Sequence, residues 1–220
     1  MKRIHQLLLK WHGMVAAIFF TTILLAIRML VTGHSQFVFL EWNLILALVP
    51  LVISTYLIGK TEMSKPKLLL LSVIWLLFFP NAPYIITDLM HLARMNQKIP
   101  WFDSILIFTF AFTAMFAGLF SILHFKILFT RYGFKRYYAA FQLICFTLTG
   151  FGIYLGRFER WNSWDIVFHP RALLSSCLQS LVEPKALAIT AMLAGCLSVA
   201  ALLLKQGTLL LYDTDQKNVE

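Results

Sequence analysis

The chain has 220 residues, of which 60% are apolar and 13% charged, against roughly 45–50% and about 25% in soluble domains. With a mean hydropathy of +0.76, it is excluded from the soluble globular class. Its formal net charge of +9 would suggest a nucleic-acid partner in a hydrophilic chain, but here the bases alternate with long apolar runs, so sidedness across a membrane comes first.

A spanning helix takes about 20 mostly apolar residues, so this length holds about six or seven spans and no sizeable soluble domain. The sequence therefore predicts an all-α, polytopic membrane protein of about six transmembrane helices, with residues 1–220 forming a single transmembrane domain. Met1-Lys2-Arg3 followed by an apolar stretch resembles a signal sequence, but no small-x-small cleavage site ends it, so it reads as an uncleaved first span. Span one covers about 11–31, and its charge, Arg28, lies near enough to one end for its stem to reach the interface. Span two, about 37–58, has Glu41, Trp42 and Asn43 in its first turns and Pro50 in its middle. Span three, about 68–92, is broken at Pro80 and Pro83: Leu68 to Phe79 gives only about 18 Å of helix, too short for about 30 Å of hydrocarbon. Spans four, five and six follow at about 105–128, 137–155 and 186–204. Gly152 and Gly156 form a small-xxx-small pair that suits close helix packing, and the connection before span six holds an interfacial helix.

Lys2, Arg3, Lys10, Lys60, Lys65, Lys67, Lys126, Arg131, Lys135, Arg136, Lys205 and Lys217 all fall on one side of this arrangement. The positive-inside rule makes that side, with both termini, cytoplasmic. Acids and bases balance on the other side, so the excess charge reports topology and gives no evidence for nucleic acid. Trp42, Trp101, Trp161 and Trp164 fall near the outer boundary and Trp11 near the inner one, as in an aromatic belt. Cys145, Cys177 and Cys196 are odd in number and widely spaced, which supports neither a disulfide framework nor a Cys-x-x-Cys metal site.

Three outer segments hold most of the chemistry-bearing residues. In the first, 78–92, Pro80 and Pro83 free the carbonyls of Leu76 and Phe79, and Asn81 is placed to cap a new helix near Ala82. A helix there puts Tyr84, Asp88 and His91 on one face, and such broken helices either build ion and substrate sites or are plain proline kinks. In the second, 156–170, helical spacing pairs Arg157 with Arg160 and Asp165 with His169, with Asn162 between. Two arginines together suit a phosphate or carboxylate, or equally lipid head groups and neighbouring acids. The third is Trp101-Phe102-Asp103, level with Glu41-Trp42-Asn43; carboxylates at this depth need partners, and the outer arginines and Arg28 are the candidates. Neither a His-x-x-x-His nor a Cys pattern supports a metal or other cofactor, Ser163 lacks a Gly-x-Ser-x-Gly elbow, and His124 reads as a buried hydrogen-bonding histidine.

Glu41-Trp42-Asn43, the run from Phe79-Pro80-Asn81-Ala82-Pro83-Tyr84 to Leu92, Trp101-Phe102-Asp103 and the run from Tyr154 through Arg160-Trp161-Asn162-Ser163-Trp164-Asp165 resemble the signatures of a bacterial integral-membrane family catalogued as domain of unknown function 1361. The resemblance covers about 37–200 and implies a multi-pass protein of the bacterial cytoplasmic membrane, with no activity attached. Three function classes stay open. An outer-leaflet enzyme would act on a lipid or lipid-linked phosphate, with Asp88, His91, Asp103, Asp165 and His169 as catalytic candidates and Asn81, Tyr84, Arg157, Arg160 and Asn162 as substrate-binding ones. The others are a non-catalytic scaffold or assembly factor and a small-solute transporter; membrane lipids are the partners expected in every case.

Overall fold

The computed structural model describes residues 2–92, 99–162 and 164–217, with the side chains of 2–10, 91–92 and 208–217 outside the description. Every regular element among the described residues is helical. Six helical stretches are long and apolar enough to cross a membrane: Trp11–Thr32, Phe39–Ile58, Lys65–Asp88, Pro100–Arg131, Lys135–Phe158 and Pro184–Gly207. The chain divides into two compact units, Met1–Arg131 and Tyr132–Glu220.

Unit 1 is built on α1 (Lys2–Thr32), α2 (Phe39–Ile58), α3 (Lys65–Phe78), α4 (Asn81–Tyr84), a 3₁₀ turn at Ile85–Asp88, α5 (Leu89–Leu92) and α6 (Pro100–Arg131). The central post is α6, packed by α1, α2, α4, α5 and the 3₁₀ turn. On α2, Leu40, Leu44, Ala47, Leu51, Ser54 and Leu57 are buried, a three-and-four spacing that puts one continuous stripe against its neighbours. The opposite stripe, Trp42, Ile45, Val52 and Tyr56, is exposed, as a lipid-facing surface should be. Leu44, Ala47, Ala82, Ile85, Leu106, Ile107, Phe110, Ala111 and Ala114 close into one apolar core.

The break in the third span follows from its prolines. Pro80 keeps helical dihedrals (φ −59°, ψ −25°), so the chain continues in the same direction and what changes is the hydrogen bonding. The Phe79 carbonyl, which Pro83 cannot serve, accepts the Ala82 N–H at 3.1 Å in a tighter turn. Asn81 works backwards, contrary to the forward cap expected from sequence: its Nδ2 donates to the Phe78 carbonyl at 2.9 Å and closes the end of α3. Gly118 on α6 lets this segment come close, since a Cβ there would lie 2.7 Å from that of Ala82.

Unit 2 contains a 3₁₀ turn at Lys135–Tyr137, α7 (Tyr138–Phe158), α8 (Asp165–Phe168), α9 (Pro170–Ser180) and α10 (Pro184–Lys217). Its principal packing is α7 on α10. The close approach is at Gly150, where a Cβ would meet the Thr190 carbonyl oxygen at 2.7 Å. The interfacial helix expected between spans five and six corresponds to α9, which exposes Leu174 and Leu178 and turns Cys177 toward the cluster of Tyr154, Leu155 and Ala186.

Candidate functional site

The densest polar assembly lies at the end of unit 1 where α1 finishes and α2 and α6 begin. Arg28 sits in the penultimate turn of α1 and Asp103 in the first turn of α6. A cation near a helix C-terminus and an anion near an N-terminus each complement the local backbone dipole. The two side chains form a fork: Arg28 Nε donates to Asp103 Oδ1 at 3.1 Å and Nη2 to Oδ2 at 3.4 Å. Nη1 donates to the His34 carbonyl at 3.1 Å, and Nη2 also reaches Gln36 Oε1 at 3.3 Å. The guanidinium lies over the Phe37 ring, 4.5 Å from its centroid. Arg28 is 1% exposed and Asp103 0%. The interface-reaching stem expected for Arg28 is therefore corrected: the guanidinium turns inward, where a carboxylate and two loop acceptors supply its hydrogen bonds.

A second set flanks this pair. Asp88 is buried in the 3₁₀ turn and accepts a hydrogen bond from Asn43 Nδ2 at 3.1 Å. Glu41, in the first turn of α2, accepts one from Thr22 Oγ1 on α1 at 3.1 Å. Its other oxygen, Oε2, is buried without a hydrogen-bond partner among the described residues. Tyr84 and Asn81 are half-buried on the broken span, and the His91 side chain lies outside the described residues.

Toward the other end of unit 1 a separate polar group forms. Ser54 Oγ and His124 Nδ1 are 3.0 Å apart, and Trp75 Nε1 donates to Ser121 Oγ at 3.2 Å. Asp103 and Ser121 are about 27 Å apart along α6 at 1.5 Å per residue. The apolar core around Phe110, Ala111 and Ala114 lies between them.

In unit 2, the expected pairings by helical spacing do not form. α7 ends at Phe158, and Arg160 takes a left-handed backbone (φ +63°), so Arg157 and Arg160 do not stack on one helical face. Asp165 and His169 are joined through the backbone, the His169 N–H donating to the Asp165 carbonyl at 2.7 Å, but α8 ends there and no side-chain hydrogen bond joins them. Asp165 instead accepts the Asn162 backbone N–H at 2.7 Å through Oδ2, and its own N–H donates to the Asn162 carbonyl at 3.0 Å. The two bonds close a turn from Asn162 to Asp165 just ahead of α8, whose N-cap residue, Trp164, makes no side-chain capping bond. Asn162 and His169 are exposed, and Lys185 Nζ lies 3.8 Å from the centroid of the Phe158 ring. Among the described residues, no three His, Cys, Asp or Glu side chains gather in a group able to hold a metal ion.

Residues 42–200 match the family described as Protein of unknown function (DUF1361). The chain belongs to that family. No curated protein and no solved structure matches it. The matched stretch of this DUF1361 protein contains Asn43, Asp88 and Asp103 but starts after Arg28 and Glu41. The strings that carry the resemblance therefore omit the cation that neutralises Asp103. Sequence reasoning named Arg28 among possible partners but missed the His34 carbonyl, Gln36 and the Phe37 ring. The available signal was the short polar loop Gly33-His34-Ser35-Gln36 directly after a span that contains a charge.

Proposed function

We propose that this protein is a non-catalytic scaffold or assembly factor of the bacterial cytoplasmic membrane, with both termini cytoplasmic and membrane lipids as its immediate partners. The observation that carries this reading is the closure of the outer polar assembly in unit 1. Asp103, one of the catalytic candidates, is 0% exposed and bound at both oxygens by Arg28. A general base needs access to the proton it removes, and a carboxylate forked by a guanidinium is a poor one. Asp165 likewise spends an oxygen on the Asn162 backbone N–H. A transport path needs polar groups that continue through the bilayer, whereas in unit 1 an apolar core separates the two polar sets. The distribution of Lys and Arg supports the orientation.

The test is complementation of a deletion strain, read by lipid and envelope profiling with protein levels measured alongside. Asp88→Asn, Arg160→Lys and the pair Arg28→Met with Asp103→Leu should each restore the wild-type profile when they accumulate normally. Failure of Asp88→Asn at wild-type protein level refutes the reading. Reporters fused to each terminus, active only in the cytoplasm, check the orientation.

One observation favours the enzyme reading as the second: Glu41 has a buried carboxylate oxygen with no partner among the described residues, beside an exposed Thr22 and Trp42. In that reading a lipid or lipid-linked phosphate substrate meets Glu41 at the outer leaflet, and Glu41→Gln alone abolishes complementation.

A further inference from the structure

At the opposite end of unit 1 from the Arg28 assembly, the connection between α2 and α3 forms an open pocket of about 280 Å³ lined by Tyr56, Lys60, Glu62, Met63, Ser64 and Lys67. That volume lies just below the range for ligand sites, roughly 300–1,000 Å³, and suits a head group better than a whole metabolite. Lys67 Nζ donates to the Tyr56 hydroxyl at 3.0 Å. The Lys60 and Lys67 ammonium groups lie 5.7 and 5.4 Å from the centroid of that same Tyr56 ring. Two cations are thus gathered on one aromatic side chain, and among the described residues neither is in a salt bridge, although Glu62 lines the same cavity. Arg131 holds the end of α2 in place by donating to the carbonyls of Ile58 and Lys60. Ser64, which lines the pocket, is the N-cap residue of α3 and makes no side-chain capping bond.

The helix faces leading away from this cavity are apolar and exposed. On α2, Ile45 and Val52 continue the stripe that ends in Tyr56, and on α3 Leu70 lies one turn beyond Lys67. A bound molecule with an anionic head in the cavity therefore has hydrocarbon-facing surface beside it for acyl chains. The loop is on the side that the positive-inside rule makes cytoplasmic, where anionic lipids attract basic juxtamembrane segments.

We propose that the cavity between α2 and α3 is a binding site for the phosphate head group of an anionic phospholipid, with Lys60 and Lys67 as its cationic walls and the Tyr56 hydroxyl orienting Lys67. The site is independent of the function assigned to the outer assembly.

The full-length chain in detergent micelles is titrated with phosphatidylglycerol, with phosphatidylcholine and with inorganic phosphate, and bound lipid is counted by native mass spectrometry. Wild type should retain phosphatidylglycerol in preference to phosphatidylcholine. Lys60→Gln with Lys67→Gln should weaken retention about 30-fold, at roughly fivefold per lysine, and Lys60→Gln alone should give a single fivefold step. Both lysines are exposed, so the fold should survive; unchanged helical circular dichroism checks this. The control Lys126→Gln with Lys205→Gln removes the same charge elsewhere and should leave retention unchanged. Equal retention of the two lipids overturns the proposal, as does an equal loss in the control. Displacement of phosphatidylglycerol by millimolar inorganic phosphate, with no preference left for the lipid, assigns the cavity to a free anion and overturns the lipid assignment.

Discussion

Removal of either partner from the Arg28–Asp103 pair tests the packing of unit 1 most directly. Arg28→Met leaves a carboxylate that is 0% exposed without the guanidinium that bound both of its oxygens. For charge centres about 4 Å apart at an effective dielectric near 20, the lost attraction is about 4 kcal/mol. Breaking buried pairs from one side typically costs about 3–5 kcal/mol. A neutral interhelical hydrogen bond in a bilayer averages only about 0.6 kcal/mol, so the two scales are separable by measurement. Arg28→Met and Asp103→Leu should therefore each lower stability by about 3–5 kcal/mol. The double variant should recover to within about 2 kcal/mol of wild type, because two apolar side chains of similar volume replace the pair and the exposed His34 and Gln36 can hydrate. The assay is unfolding by SDS titration in mixed micelles, read by tryptophan fluorescence and closed as a double-mutant cycle. Single variants that each lose less than about 1 kcal/mol, or a double variant that loses the sum, would refute the assignment of a tightly coupled pair.

In unit 2, Gly150→Ala forces a Cβ to 2.7 Å from the Thr190 oxygen and 2.9 Å from its Cα, both backbone atoms, and should lose about 1–3 kcal/mol in thermal unfolding. Gly195→Ala meets nothing within 4 Å and should be neutral or gain up to about 1 kcal/mol; equal effects at the two sites would contradict the packing of α7 on α10. Trp75→Phe removes the donor to Ser121 and should cost about 1–2 kcal/mol, against about 3–5 kcal/mol for Trp75→Ala; a Phe variant as unstable as the Ala variant would count against that division. Burial pushes the Cys177 thiol above its ordinary value, so less thiolate is present at a given pH, and the pH midpoint of its alkylation by iodoacetamide should lie above that of a free thiol measured alongside. A midpoint at or below that of the free thiol would contradict this.

What could be read from sequence followed from constraints that act residue by residue. Apolar runs of spanning length locate the six candidate spans, and Pro80 and Pro83 lack backbone donors in any context, so the third span had to break there. A lone Arg28 inside a span had to find a partner, but its partner lies 75 residues away and only tertiary packing could identify it. The direction of the Asn81 bond was misread because a cap forward and a cap backward make the same demand on composition. Helical spacing failed at Arg157 and Arg160 because it presumes that the helix continues. Nothing in Glu159-Arg160-Trp161 signals a left-handed residue where glycine would be usual. Likewise, the small-residue pair Gly152 and Gly156 drew attention from Gly150, where the backbone of α10 comes close.

The placement of the pair also bears on register. Apolar faces of two membrane helices can slide by a turn, about 5.4 Å, with little change in buried surface. A slide of α1 against α6 by one turn would separate Arg28 from Asp103, whereas the His34 and Gln36 acceptors, on the loop that follows α1, would travel with Arg28; Asp103 would be left as a buried carboxylate without its cation. The pair therefore contributes less to net stability than to the choice of one alignment, which is the role best attested for buried charges. A second polar contact, Thr22 to Glu41, ties α1 to α2, the two helices whose ends meet at the Gly33–Gln36 loop. With Asp103 neutralised and Asp88 engaged by Asn43, the Glu41 oxygen that has no partner among the described residues is a place at this end of unit 1 where a scaffold and an enzyme would differ in what they require.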